Sequence, residues 1–147
     1  MRILLDTSTL IAAMIEGHPS HNLALPWLQR VTTKTDTGLV AAHTLAELYA
    51  ILTRLPVEPR IPPALALRLI ESNVLETCEV VALSADDYAA LLRHLASLSI
   101  AGGAVYDALL LHAAWKADVD QVVTLNARDF RHVYPALFDK IVSPLEA

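Results

Sequence analysis

The chain has 147 residues and a mass of 16.0 kDa, the size of one domain that can bury a core of its own, and residues 1–147 are expected to form a single domain. Its 54% of hydrophobic residues and mean hydropathy of +0.44 exceed the usual globular range, and surplus apolar surface favours a partner interface over a bare monomer. The net charge of −5 argues against a protein that coats nucleic acid with its whole surface, although an acidic metal pocket would add to that charge and Arg54, Arg60 and Arg68 remain as local phosphate contacts.

The pattern along the chain alternates. Arg2–Leu5 reads as a short buried strand that ends in Asp6-Thr7-Ser8-Thr9. Leu10–Ile15 reads as a short helix closed by Gly17, and Pro19-Ser20 opens a second helix running to Val31. Gly38–Ala41 is a second strand. Ala42–Leu55 is a helix with Leu45, Leu48, Leu52 and Leu55 as its apolar stripe, ended by Pro56. A proline-rich connection to Pro63 leads to a helix over Ala64–Leu75. Glu79–Leu83 is a third strand, and Ser84 caps a helix that reaches Leu98, with Asp86 and Asp87 suited to its dipole. Gly102-Gly103 breaks the chain before a helix over Ala104–Ala117. Gln121–Thr124 is a fourth strand, Leu125–Phe130 reads as a polar loop, and Lys140–Ser143 is a fifth strand. Strands alternating with helices predict an α/β domain, a three-layer sandwich around a mainly parallel sheet of about five strands. In such sheets ligands collect at the carboxyl ends of strands, where Asp6 and Thr124 fall.

Several acids stand in unusual places. At about 100° per residue, Asp107 shares a helix side with Gly103, Leu110, Leu111 and Ala114, an otherwise apolar side, while His112 and Lys116 fall opposite. A buried carboxylate is costly unless it is paired or bound to metal; taken alone, Asp107 reads equally as a cap or an edge residue. Glu47 flanks a leucine stripe and alone reads as a solvated helix residue. Asp6 is either a helix cap or a site residue, and Asp129 alone reads as a surface acid. Together, carboxylates converging at strand ends would repel one another and raise their pKa values. A divalent cation resolves that conflict, and oxygen-only ligands favour Mg²⁺ or Mn²⁺. The chemistry that follows is hydrolysis of a phosphodiester.

These segments resemble a known family. Ile3-Leu4-Leu5-Asp6-Thr7-Ser8 resembles the opening of PIN domains, His43–Leu48 their second acidic motif, Ala104–Ala114 the third and Thr124–Phe130 the fourth. The size and the His18-Pro19-Ser20-His21 stretch look most like the VapC-type toxins of toxin–antitoxin pairs. The resemblance implies a three-layer α/β/α fold, Mg²⁺- or Mn²⁺-dependent endoribonuclease activity, a homodimer and inhibition by a cognate antitoxin. It implies Asp6, Glu47 and Asp107 as metal ligands, at least one of them orienting or deprotonating the attacking water, Asp129 as the fourth catalytic carboxylate, reaching a second metal or acting through water, and Ser8, Thr124 and Asn126 as supporting hydrogen-bonding residues. Some relatives carry an acid where this chain has Asn126, which leaves one metal or two open.

Other chemistries lack their residues. The single Cys78 rules out an intrachain disulfide and Cys/His zinc spacing, and suits a reducing cytosol. The residues before Asp6 are too few for a signal peptide, and no uncharged apolar run approaches the roughly 18 residues that span a membrane, so a soluble cytoplasmic protein is expected. The six histidines show no His-Glu-x-x-His pattern and Gly102-Gly103 is no phosphate loop. His43 can reach substrate from its place before Glu47. Trp27 and Trp115 read as packing residues; Val105 and Leu109 suit either a partner contact or a second buried layer. The rival functions are a non-catalytic module holding a structural ion, a receiver-like phosphoacceptor and a structure-specific DNA nuclease. The receiver reading lacks its acid pair and late lysine. RNA and DNA are not separated by acids that address only phosphate.

Overall fold

The computed structural model describes residues 1–146. Five strands, β1 (Arg2–Leu5), β2 (Thr37–Ala41), β3 (Cys78–Val81), β4 (Gln121–Val123) and β5 (Ile141–Val142), pair in parallel in the order β3-β2-β1-β4-β5. Side chains alternate across this sheet as strand geometry requires. Leu4, Leu39 and Val122 point into one apolar layer, and Ile3, Leu5, Val40 and Val123 into the other. The second layer is closed by helices α1 (Thr7–Met14), α2 (His21–Thr32), α3 (Ala42–Leu52) and α4 (Pro63–Ile70). The first is closed by α5 (Ala85–Ser97), α6 (Ala104–Lys116) and α7 (Ala127–Val133). This is the expected α/β/α sandwich. Among the described residues no helix is long and apolar enough to cross a membrane.

The sheet order sets the site. β1 lies at the centre, and the chain leaves it toward β2 on one side and later returns to β4 on the other. The connections diverge between β1 and β4, which opens a crevice beyond their carboxyl ends, the usual ligand position in an open parallel sheet.

The sequence reading differs from the structure in particular places. The first helix starts at Thr7 rather than Leu10, because Asp6 caps it by accepting a hydrogen bond from the Thr9 N–H at 2.8 Å. The helix predicted to Leu75 stops being regular at Ile70 and finishes in a wider π turn over Glu71–Leu75. The segment read as a loop through Phe130 contains α7, whose Ala127, Phe130 and Val133 bury one side at a spacing of three. Helix α6 has no polar side: every residue from Ala108 to Ala114 is buried, His112 among them. His112 Nδ1 lies 3.0 Å from the Tyr134 hydroxyl, which gives the buried ring a polar partner. Leu109 is buried and Val105 packs on the same core, so the second packing layer holds for both, whereas Trp115 is exposed and serves no core. Gly102, with φ at +73°, needs the freedom of glycine, but nothing crowds the Cβ position of Gly103, so no close backbone approach explains that residue.

One glycine is held by packing. A Cβ on Gly38 in β2 would meet both methyls of Val31, the farther at 2.9 Å, and Cys78 Sγ at 3.0 Å. Gly38→Ala is expected to destabilise the chain by about 1–3 kcal/mol through overpacking. Val31→Ala added to it should recover part of that loss, a coupling that urea denaturation of both single variants and the double variant would measure. Simple additivity of the two losses would show that the crowding is not between these groups.

Candidate active site

Asp6 ends β1 with its side chain buried. Its carboxylate accepts hydrogen bonds from the Ser8 hydroxyl, 2.8 Å from each oxygen, from the Thr124 hydroxyl at 2.6 Å and from the Thr9 N–H. The two hydroxyls are themselves tied to the backbone that follows β4. Ser8 Oγ accepts from the Leu125 N–H at 3.2 Å, and Thr124 Oγ1 accepts from the Asn126 N–H at 2.9 Å. Each hydroxyl thus relays a backbone N–H onto Asp6. Burial raises the Asp6 pKa, and the hydrogen bonds from Thr124, Thr9 and Ser8 oppose that rise.

Glu47 reaches the same cleft from α3. Its Oε1 accepts from the Thr7 hydroxyl at 2.9 Å and lies 3.8 Å from His43 Nε2. Thr7 also donates to Thr44 at 3.3 Å. This places Thr7 in the site as the residue that holds Glu47, a role that the sequence reading did not assign to it. The signal was present in the run of hydroxyls after Asp6, since Thr9 turns away and donates to the Val123 carbonyl at 3.1 Å.

Asp107, in the first turn of α6, lines this cleft with Asp6, Ser8, Glu47 and Asn126. It also lines an adjoining recess with Asp129 and His132 of α7. It stands where the two hollows meet. Its pKa is pushed up to about 6, first by burial and then by the negative charges of Asp6, Asp129 and Glu47. The other three predicted acids therefore each act electrostatically on Asp107. Asp129 is exposed and sits in the first turn of a helix, not in a loop. Asn126 lies at the cleft with its backbone fixed by Thr124.

Asp6, Asp107 and Asp129 form no ion pair among the described residues, and several of the chain's cations pair elsewhere, as in Arg30–Asp36, Lys116–Asp87 and Arg131–Glu146. The donor set is oxygen only, it is anionic, and part of it is buried without countercharge. That chemistry fits a hard divalent cation. Among the described residues no three of the acids are drawn together into a closed metal cage. The arrangement is an open cleft with negative charge gathered around it.

Comparison with known proteins bears on these same residues. The model of the PIN domain family matches residues 3–135, which takes in all four acids. The chain is 35% identical over 112 residues to Ribonuclease VapC27 of Mycobacterium tuberculosis, covering 76% of each chain. It is 36% identical over 128 residues to Ribonuclease VapC40 of that species, covering 87% of each. The fold superposes on VapBC2 from Rickettsia felis bound to a promoter DNA fragment, with a TM-score of 0.67 at 22% identity over 97% of this chain and 98% of that one. It also superposes on VapC20 of Mycobacterium tuberculosis, described as a Sarcin-Ricin loop cleaving toxin, with a TM-score of 0.63 at 18% identity over 82% of this chain and 86% of that one. At those identities the two superpositions show a shared fold. The family match over most of its length and the two ribonuclease relatives establish that this chain belongs to the PIN-domain family.

Proposed function

We propose that this chain is an endoribonuclease that hydrolyses RNA phosphodiester bonds with a bound Mg²⁺ or Mn²⁺, and that it is the toxin half of a toxin–antitoxin pair. The observation that carries the chemistry is the buried, hydrogen-bonded Asp6 beside an Asp107 whose proton affinity is lifted by burial and then by three other carboxylates. The choice of RNA is supported by relatives named ribonucleases, and the toxin role by the VapC relatives and the toxin described above. A cognate antitoxin and a second copy of the chain are the partners this reading implies. Exposed apolar side chains such as Tyr49 and Leu67 offer surface for them.

Asp6, Glu47 and Asp107 would hold the cation, with Asp129 at the edge of the set. Bound there, a hard divalent ion supplies charge stabilisation at a phosphoryl oxygen and lowers the pKa of a coordinated water. The chain's own residues do the rest. Ser8 and Thr124 fix both oxygens of Asp6, so that carboxylate holds its orientation. Thr7 fixes Glu47. Asp129 is exposed at the edge of the set, where its carboxylate would orient an incoming water and take its proton as the water oxygen bonds to phosphorus, the P–O bond to the departing sugar oxygen breaks and that oxygen is protonated from solvent.

Asp6→Asn and Asp107→Asn are expected to cut RNA at least about a hundredfold more slowly, because each removes a charge the reaction needs. The fold should survive, since asparagine caps a helix as well as aspartate and the neutral side chain is cheaper to bury. The assay is cleavage of a structured RNA pool with Mg²⁺, with Mn²⁺ and with EDTA, where EDTA should abolish it. The same variants should lose toxicity when induced in cells without the antitoxin. Wild-type rates from either variant would remove these acids from the site.

Thr124→Val removes the donor to Asp6 and the acceptor for Asn126. It should destabilise the chain by about 1–3 kcal/mol and lower kcat while a metal-dependent residual activity remains. An unchanged kcat would show that Asp6 does not need the Thr124 hydroxyl.

The proton on Asp107 gives a pH dependence. In the metal-free folded chain it titrates at about 6, against an ordinary value of 3.8. Between those values the folded state holds a proton that the unfolded state has released, so stability falls as pH rises through that window. The fall should be smaller in Asp107→Asn, which thermal melts of both proteins across the window would show. Cation binding competes with the same proton, so Mn²⁺ affinity by calorimetry should weaken as pH drops below about 6. Affinity flat across that range would take Asp107 out of the ligand set.

A further inference from the structure

An aromatic pair stands beside Glu47 of the carboxylate cleft. The ring of Tyr106 lies nearly parallel to that of His43, with centroids 5.7 Å apart and planes 10° apart. Tyr106 immediately precedes Asp107 on α6. His43 stands one helical turn before Glu47 on α3, with its Nε2 3.8 Å from Glu47 Oε1. The pair therefore bridges the two helices that supply Glu47 and Asp107.

Packing does not account for Tyr106. It belongs to neither core layer and is 55% exposed, on a helix that is otherwise buried from Ala108 to Ala114. It overlaps, with an offset, the ring of His43, which is itself partly buried. A flat π face presented to solvent is what a nucleobase stacks on, and such stacking is tolerant of sequence because every base has a π face.

Electrostatics gives such a contact a purpose. The chain carries a net charge of −5, and its cleft gathers acids. A polyanionic strand approaching that cleft gains little from long-range attraction. Stacking supplies attraction that does not depend on charge.

We propose that the exposed face of Tyr106, beside His43, is the platform on which an unpaired nucleobase stacks next to the scissile phosphate. The proposal rests on the ribonuclease reading given above and adds the residue that positions the strand beside the cut, Tyr106.

The test uses the full chain and a mixed-sequence single-stranded RNA dodecamer carrying 2-aminopurine at one position at a time. Binding is followed by fluorescence in the Asp6→Asn background, where the RNA should stay whole, and cleavage is followed in parallel in the wild-type background with Mn²⁺. The expected result is a stacking signal at one position or two adjacent ones. Tyr106→Ala and Tyr106→Leu should abolish it and weaken binding roughly five- to hundredfold, while Tyr106→Phe restores both. In cleavage, the same loss should fall on KM more than on kcat. Circular dichroism melts confirm that each variant is folded.

Binding and signal unchanged in Tyr106→Ala would overturn the platform, even if the wild-type chain cuts RNA. So would a Tyr106→Ala variant that only dissociates a dimer on size exclusion and binds the dodecamer as before. Tyr106-dependent binding with no cleavage by the wild type would sustain the platform and defeat the ribonuclease reading. Neither binding nor cleavage would defeat both.

Discussion

The carboxylate of Asp6 is buried at the end of the central strand with hydroxyls and an N–H around it and no cation. Burying such a group costs several kcal/mol unless its charge is met. Hydrogen bonds offset part of that cost; burial still raises its pKa. The same hydroxyls receive N–H groups from Leu125 and Asn126, so the backbone after β4 is tied to the end of β1 through this one side chain. Under the metal-dependent reading proposed above, a cation that met the charge of Asp6 would relieve a cost that the fold has already incurred.

The other acids follow from the geometry around that strand end. Asp6 is the N-cap of α1, Asp107 lies in the first turn of α6, and Asp129 lies in the first turn of α7. Three helices thus direct their N-termini at one crevice. Their unpaired N–H groups and aligned dipoles favour negative charge there, which is how several carboxylates can share a cleft without any lysine or arginine between them. The compensation is incomplete, because Asp107 is still pushed up to about 6. Glu47 comes from the middle of α3, without such help at its backbone, and is held instead by the hydroxyl of Thr7.

How much of this could be read in advance depended on whether a residue's role was local. The alternating apolar runs gave the parallel sheet because strands buried on both faces, such as Ile3–Leu5, leave few other options. Asp6 and Asp107 stood out because each is an acid in an apolar setting. Asp129 was recognised as the fourth acid by resemblance, but its helix was not foreseen. The Ala127, Phe130 and Val133 spacing is short, and the polar residues among them dominate the local pattern. His112 was placed on a solvent side because a helical wheel assumes one buried face, whereas α6 is sandwiched between the sheet and the elements that carry Leu91, Leu95 and Tyr134. The Ser8 and Thr124 relay had no local signature at all, since its bonded partners lie 117 and 118 residues apart in the chain and meet only because β1 and β4 are neighbours.

That adjacency also bears on how an acidic protein meets an acidic polymer. Several of its basic side chains are committed away from the cleft, Arg30 to Asp36, Lys116 to Asp87 and Arg131 to Glu146. Along α3, however, His43, Glu47 and Ile51 follow at intervals of four residues, and Arg54 comes three beyond Ile51. They lie on one side of the helix. Ile51 lines the carboxylate cleft and also lines a recess with Arg54, so the two hollows are continuous past that residue. A strand lying along this side would meet an aromatic pair at one end, the acids in the middle and a guanidinium at the other. For the ribonuclease proposed above, attraction would then come at the flanks and repulsion would be confined to the centre, where the acids lie. The net charge of −5 would be no obstacle to such a substrate, because binding would rest on a short path of local contacts and not on the field of the whole surface.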